Sequence, residues 1–456
     1  YGTRFERYPF ATRDHRGAER YDPVTDRVLI GGLGSTPEST GVEVGAGQFA
    51  PRLGIAWRAR EKTVIRLGYG ISVDPNSFRN MRDAYPATIS LQLSGPSSFQ
   101  AAGLLKNGLP AINSPDISSG SIALPTAIGT QTFPQTFNRG YIQSLNLTLQ
   151  QDIGWGFTLQ GAYVATRAIR QTANVNINAG EVGLGNPGRA LARFGRIANI
   201  NMLVPFNTAT YDSFQAQINR RLNPDAQIGL TYTFSKAMGY ADNSDSGLTF
   251  HSVSQWARNR ALSSFDRTHN LQLFGVYALP FGAGKRWATS GPASWFAGGW
   301  QLNGIMTRMS GTPFTITSAG TSLNAPGNTQ TADLVGPVRI LGGVGRGASW
   351  FDPTAFAPVT AVRYGTLGRN TMRGPSVFNF DASLFRDFKI TERFKLQFRT
   401  EVFNLTNTPA FNNPGSNASS PTRRADGSII NTNGFSEITS AQGTERQIRF
   451  ALKLTF

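Results

Sequence analysis

The sequence predicts an all-β fold, a transmembrane antiparallel β-barrel to which this chain contributes about 11–12 strands. Three observations lead there: an alternating closing segment, a regular succession of short and long connections, and a composition poor in charge but rich in aromatics and turn formers. The closing segment, 446–456 (RQIRFALKLTF), sets Ile448, Phe450, Leu452, Leu454 and Phe456 on one side and Gln447, Arg449, Lys453 and Thr455 on the other. A period of two gives a strand one apolar and one polar face. The alternation runs to the last residue, where soluble chains are usually frayed and polar.

The same pattern recurs at 48–58, 63–71, 141–150, 157–167, 211–222, 226–237, 269–279, 300–309, 377–388 and 394–404. In three of these the faces separate cleanly. Phe394, Leu396, Phe398 and Val402 oppose Lys395, Gln397, Arg399 and Glu401; Leu145, Leu147 and Leu149 oppose Asn146, Thr148 and Gln150; Ile228, Leu230, Tyr232 and Phe234 oppose Gln227, Gly229, Thr231 and Thr233. Residues 1–47 read as the end of a preceding strand, Tyr1 to Phe10, and an outer loop.

The connections alternate in length. The short ones are 59–62, 151–156, 223–225 and 389–393, with a middling one at 280–299. The long ones, 72–140, 168–210, 238–268, 310–376 and 405–445, are rich in Gly, Asn, Ser, Thr and Pro. Compact soluble domains rarely carry repeated unstructured loops of about 30 residues. Outer-membrane barrels pair short periplasmic turns with long extracellular loops. Ten residues at roughly 3.3 Å each, tilted about 45°, rise about 23 Å, close to the apolar band of such a barrel. An odd eleven does not close a bacterial single-chain barrel, so further strands are expected upstream.

Composition narrows the function classes. Charged residues make up 16% of the chain, against 50 Gly and 31 Phe, which favours strands and turns over helices. No run of about 18 apolar residues offers a helical span. With no Cys, thiolate catalysis and Cys-based metal sites are excluded. The net charge of +17 raises a nucleic-acid reading. The Arg residues are scattered through the polar positions of strands, however, so no nucleic-acid partner is expected.

Catalytic and metal motifs do not assemble. His15, His251 and His269 lack metal or triad spacing, and Asp266 beside Arg267 and His269 reads as a hydrogen-bonded loop base. Asp242 to Gly247 (DNSDSG) begins like a calcium loop, but Val253 stands where the bidentate Glu belongs. Gly282-Ala283-Gly284-Lys285 resembles a phosphate loop without its first Gly, since Leu279 takes that place. No G-x-S-x-G elbow occurs. No enzyme activity, cofactor or metal is expected. Trp155 and Phe157, Trp295 and Trp300, and Phe385 and Phe388 sit near strand ends, as interfacial girdles would.

Particular words then carry a resemblance: Phe49 to Trp57 (FAPRLGIAW), Tyr232 to Lys236 (YTFSK), Asp266 to Trp287 (DRTHNLQLFGVYALPFGAGKRW), Gly298 to Ile316 (GGWQLNGIMTRMSGTPFTI), Phe398 to Pro414 (FRTEVFNLTNTPAFNNP) and the closing segment. Together they resemble the barrel of Oar-like TonB-dependent outer-membrane receptors. The resemblance implies a 22-stranded barrel of which residues 1–456 are the C-terminal part. It also implies an N-terminal plug, a regulatory-like domain and a TonB box, none visible in this sequence.

The expected function is binding and import, or translocation, of an unknown ligand at the cell surface of a Gram-negative envelope. A passive porin-like or adhesive barrel is the alternative, and a soluble multi-sheet protein such as a lectin a third. The lumen-facing candidates are Arg66, Arg399, Glu401, Arg449 and Lys453. Cross-strand ion pairs of Arg399 or Arg449 with Glu401 are expected among them. Ile448, Phe450, Leu452, Leu454 and Phe456 resemble the signal read by the barrel-assembly machinery. Expected partners are that machinery, outer-membrane lipid and lipopolysaccharide, and TonB through the upstream part.

Overall fold

The computed structural model describes residues 1–10, 17–75, 83–89, 104–108, 114–223, 226–243 and 246–456. His15, Ser244 and Asp245, the turn residues Pro224 and Asp225, and part of 72–140 lie outside them.

Twelve strands form one antiparallel meander: β1 (Gly2–Glu6), β2 (Gln48–Arg60), β3 (Thr63–Val73), β4 (Tyr141–Gly154), β5 (Phe157–Asn176) and β6 (Ile200–Asn223). They continue as β7 (Ala226–Gly239), β8 (His269–Ala278), β9 (Trp300–Met309), β10 (Val377–Lys389), β11 (Lys395–Phe403) and β12 (Gln447–Thr455). Each pairs with its neighbour in chain order. Two short strands, Thr130–Thr132 and Ala261–Leu262, attach to β6 and β7 and complete a 14-stranded sheet. β1 and β12 are its two edges and do not pair, so the chain forms an open wall rather than a closed ring.

Register gives this wall two chemically distinct faces. One row of facing residues runs Leu159–Ile218–Leu230–Leu273–Met306–Phe380 from β5 to β10. One residue along, the opposite face carries Gln160–Gln217–Thr231–Gln272–Thr307–Asn379. Side chains of successive residues point to opposite faces, so a slip of one residue would exchange the rows and put amides into lipid. Leu452 and Phe450 on β12 are each 70% exposed. So broad an apolar face is untenable in water and suits a bilayer.

The short connections lie at one end of the wall and the long ones at the other. The β4–β5 turn shows how sequence sets this. Trp155 and Gly156 both adopt positive φ, 50° and 75°, the backbone of a tight primed hairpin turn. Asp152 Oδ1 accepts from the Gly154 amide at 2.8 Å and fixes the approach. The connection from β8 to β9 holds one short helix, α1 (Gly291–Ala297).

Two sequence expectations are corrected. β5 and β6 run to 20 and 24 residues, well past 157–167 and 211–222. The alternation fails at a bulge between Ala168 and Gln171, where Arg170 takes φ 53°. Beyond it the ladder resumes, from Thr172 opposite Pro205 to Asn176 opposite Asn201. Nor are the long connections unstructured: they fold into small sheets and enclose the buried cores. Phe314, Ile316, Phe351, Phe356 and Phe435 form one cluster, and Tyr21, Val28, Ile30, Ile122 and Ile200 another. Smaller clusters surround Phe133 and Phe137, and Val175 and Leu248.

Candidate functional site

The five lumen candidates all lie on the polar face. Arg66 on β3 faces Thr148 and donates to Gln150 Oε1 at 2.6 Å. The other four gather on β11 and β12, where Glu401 faces Arg449 and Gln397 faces Lys453. Arg66 is remote from this group along the sheet. The expected ion pairs are not made among the described residues. Arg399 Nε donates to Gln397 Oε1 at 2.6 Å, with its guanidinium 4.8 Å from the Phe385 ring centroid. Arg449 donates to Gln447 at 3.3 Å and sits 4.9 Å from the Phe403 centroid. Same-strand amides two residues away, together with a cross-strand ring, hold these cations in place of a carboxylate.

Phe385 therefore corrects the girdle reading. It and Phe388 are three residues apart, so they face opposite sides of β10, and Phe385 belongs to the polar face. The unbroken row from Gln160 to Asn379 was also missed: it is uncharged and emerges only when the register aligns residues from six strands. It offers donors and acceptors to water or to a polar solute without a fixed charge.

The closing-strand residues Ile448, Phe450, Leu452 and Leu454 also share a face. Ile448, Phe450, Leu452 and Leu454 face Val402, Thr400, Phe398 and Leu396, and Phe456 follows the last strand with its ring 6.5 Å from that of Phe394.

At the long-loop end, charge is used to tie loops together. Arg196 is fully buried and bridges Asp26 at 2.8 Å while donating to the carbonyls of Leu124 and Pro125. Arg369 bridges Asp242 at 2.6 Å and donates to the carbonyls of Gly239, Tyr240 and Asn259. Asp242, the first residue of the calcium-like stretch, is thus already paired. Asp266 is paired with Arg373 and accepts from the Ala237 amide at 2.7 Å, which agrees with a loop base. His269 bonds the Tyr232 hydroxyl at 2.7 Å. Burial of His251 lowers its pKa to about 4, and its Nδ1 accepts from the Asn176 amide at 2.9 Å. Burial, helped by the hydrogen bond to Asp26, raises the Tyr21 phenol above its ordinary range. Among the described residues no group of three or more His, Asp or Glu is arranged to hold a metal.

Against this geometry, a family model described as "Outer membrane beta barrel domain" matches residues 1–449. No curated protein matches by sequence. Solved structures of similar fold include the outer membrane transporter YddB from Escherichia coli, with 9% identity and a TM-score of 0.47, covering 90% of this chain and 41% of that one. The FrpB iron transporter from Neisseria meningitidis shows 10% identity and a TM-score of 0.43, with 94% and 41% covered. The ferric citrate transporter FecA shows 11% and 0.38, with 91% and 38% covered. The chain spans about two fifths of the length of these structures.

Proposed function

The chain belongs to the outer membrane β-barrel domain family, and from that premise we propose that it is the C-terminal part of an Oar-like TonB-dependent receptor that binds and imports, or translocates, a ligand. It is an integral protein of the outer membrane. The observation that carries the proposal is the continuous two-faced wall capped at one end by a packed loop assembly. The apolar face meets lipid, the polar face with Arg66, Arg399, Glu401, Arg449 and Lys453 lines a lumen, and the loops form the outer surface where a ligand arrives. In this reading the upstream part supplies the remaining strands of a 22-stranded barrel, a plug and the contact with TonB. The short-turn end is periplasmic. Lipopolysaccharide surrounds the loop end, and the barrel-assembly machinery reads Ile448 to Phe456. The ligand's chemistry is not assigned, and the chain's own groups bind rather than catalyse.

Residues 1–456 contain no Cys, so with any Cys outside them replaced the orientation is directly testable. In the full-length protein in outer membranes, Gln217→Cys should react with a water-soluble maleimide and Ile218→Cys only with a lipid-soluble one. The reverse pattern would overturn the assignment of faces. Planar-bilayer recording separates receptor from porin: a plugged receptor stays closed, whereas steady conductance by the full-length protein would support the passive reading. Deleting Phe456 should slow assembly of the heat-modifiable form, and unchanged assembly would remove it from the signal.

A further inference from the structure

A furrow interrupts the lipid-facing side of the wall. Its floor is a single register row, Gly275 on β8, Gly304 on β9 and Ala382 on β10, three adjacent positions with almost no side chain. Leu273 and Met306 rise on one side, Tyr277 and Leu302 on the other, around a space of about 490 Å³. The row continues through Ile228 to Arg220 on β6, so the furrow has an apolar trough and a cationic end.

Arg220 is placed for a negative group. Its Nε donates to the Trp155 carbonyl at 3.3 Å and its guanidinium lies 4.5 Å from the Phe157 centroid, which holds the cation at the short-turn rim. No carboxylate pairs with it among the described residues. A second cation shares this face. Arg386 is 8% exposed, lies 5.3, 5.2 and 4.3 Å from the centroids of Trp295, Trp300 and Phe388, and leaves its Nε without a partner. A cation on the lipid side is costly at mid-membrane and tolerable near the interface, where phosphates lie.

We infer that the furrow is the seat of one resident phospholipid, with an acyl chain along Gly275–Gly304–Ala382 and its phosphate on Arg220. A second protein copy would meet the apolar trough equally well, but the unpaired cation at its end favours a phosphodiester. The inference rests on the apolar face being the lipid-facing one, which the thiol labelling tests independently.

The experiment is native mass spectrometry of the delipidated full-length protein titrated with dioleoyl phosphatidylglycerol, dioleoylglycerol or glycerol phosphate. One phosphatidylglycerol should be retained at least about tenfold more tightly than dioleoylglycerol, and glycerol phosphate not at all. Gly275→Leu places a side chain in the trough, its Cβ in ordinary contact with the Gln227 carbonyl oxygen at 3.7 Å, and should remove that lipid. Arg220→Gln should erase the preference for the phosphate-bearing lipid. Leu147→Ala, on the same face of β4, should change neither. Heat-modifiable mobility confirms that each variant is folded. Full lipid retention by Gly275→Leu, equal binding of glycerol phosphate, or displacement of the lipid by a second copy of the protein at the furrow would each overturn the proposal.

Discussion

The wall and the loop assembly hide apolar side chains in opposite ways. The wall leaves Leu147, Phe214, Phe450 and Leu452 exposed and keeps their faces in order by backbone register alone. The loops bury Phe351, Phe356 and Phe435 completely or nearly so, ring against ring at 5.3 Å from Phe351 to each of the other two. In lipid every backbone polar group must pair within the sheet, whereas a loop in water can stand only by building a core of its own. One chain therefore folds under two solvents, and the regular alternation of β5 and β6 ends at the bulge between Ala168 and Gln171.

The sharpest way to break this contrast is Arg196→Leu. It removes the cation that pairs with Asp26 and binds the Leu124 and Pro125 carbonyls inside the loops, and should cost about 3–5 kcal/mol. Limited proteolysis should then open the loops while the heat-modifiable wall survives; a lost wall would show the two regions to be one cooperative unit. Phe351→Ala should act similarly, also by about 3–5 kcal/mol, because it adds a cavity to the lost transfer energy.

On the wall polarity should matter instead. Leu147→Arg should destabilise liposome-folded protein by about 2–4 kcal/mol in urea titration. Gln272→Arg, on the polar face of β8, should stay within about 0.5 kcal/mol.

The mildest test is pH. His251 has a folded pKa of about 4, below its ordinary 6.5, so the unfolded loop takes up a proton before the folded one. That stabilisation is present above pH 6.5 and is lost as pH falls toward 4, by at most about 3 kcal/mol. Loop protease resistance should fall over that range, and His251→Asn should flatten the profile.

The strand set was legible because membrane strands keep an alternation that nothing interrupts: β9 was expected at 300–309 and is found there. Arg66, Arg399, Glu401, Arg449 and Lys453 stand at polar positions of the same period. Arg386 was not legible. It occupies an apolar-face position, and only the fold brings Trp295 from α1 and Trp300 from β9 against it. The partners of Arg399 and Arg449 also escaped, because charge suggested Glu401 while an amide and a ring were nearer. Nor could composition show that Gly-, Asn- and Ser-rich connections enclose hydrophobic cores, since their apolar residues follow no period.

By itself, then, the sequence determined where the wall strands lie, which of their faces is apolar, and in what order short and long connections follow, but not how far β5 and β6 extend. Those properties are local, set by the two-residue period of an extended chain. The tertiary structure alone decided which residues share a row: the amides from Gln160 to Asn379, the furrow of Gly275, Gly304 and Ala382, and the burial of Arg196 against Asp26. Rows and cores join residues far apart in the chain, and the register that aligns them is fixed only when the strands pair.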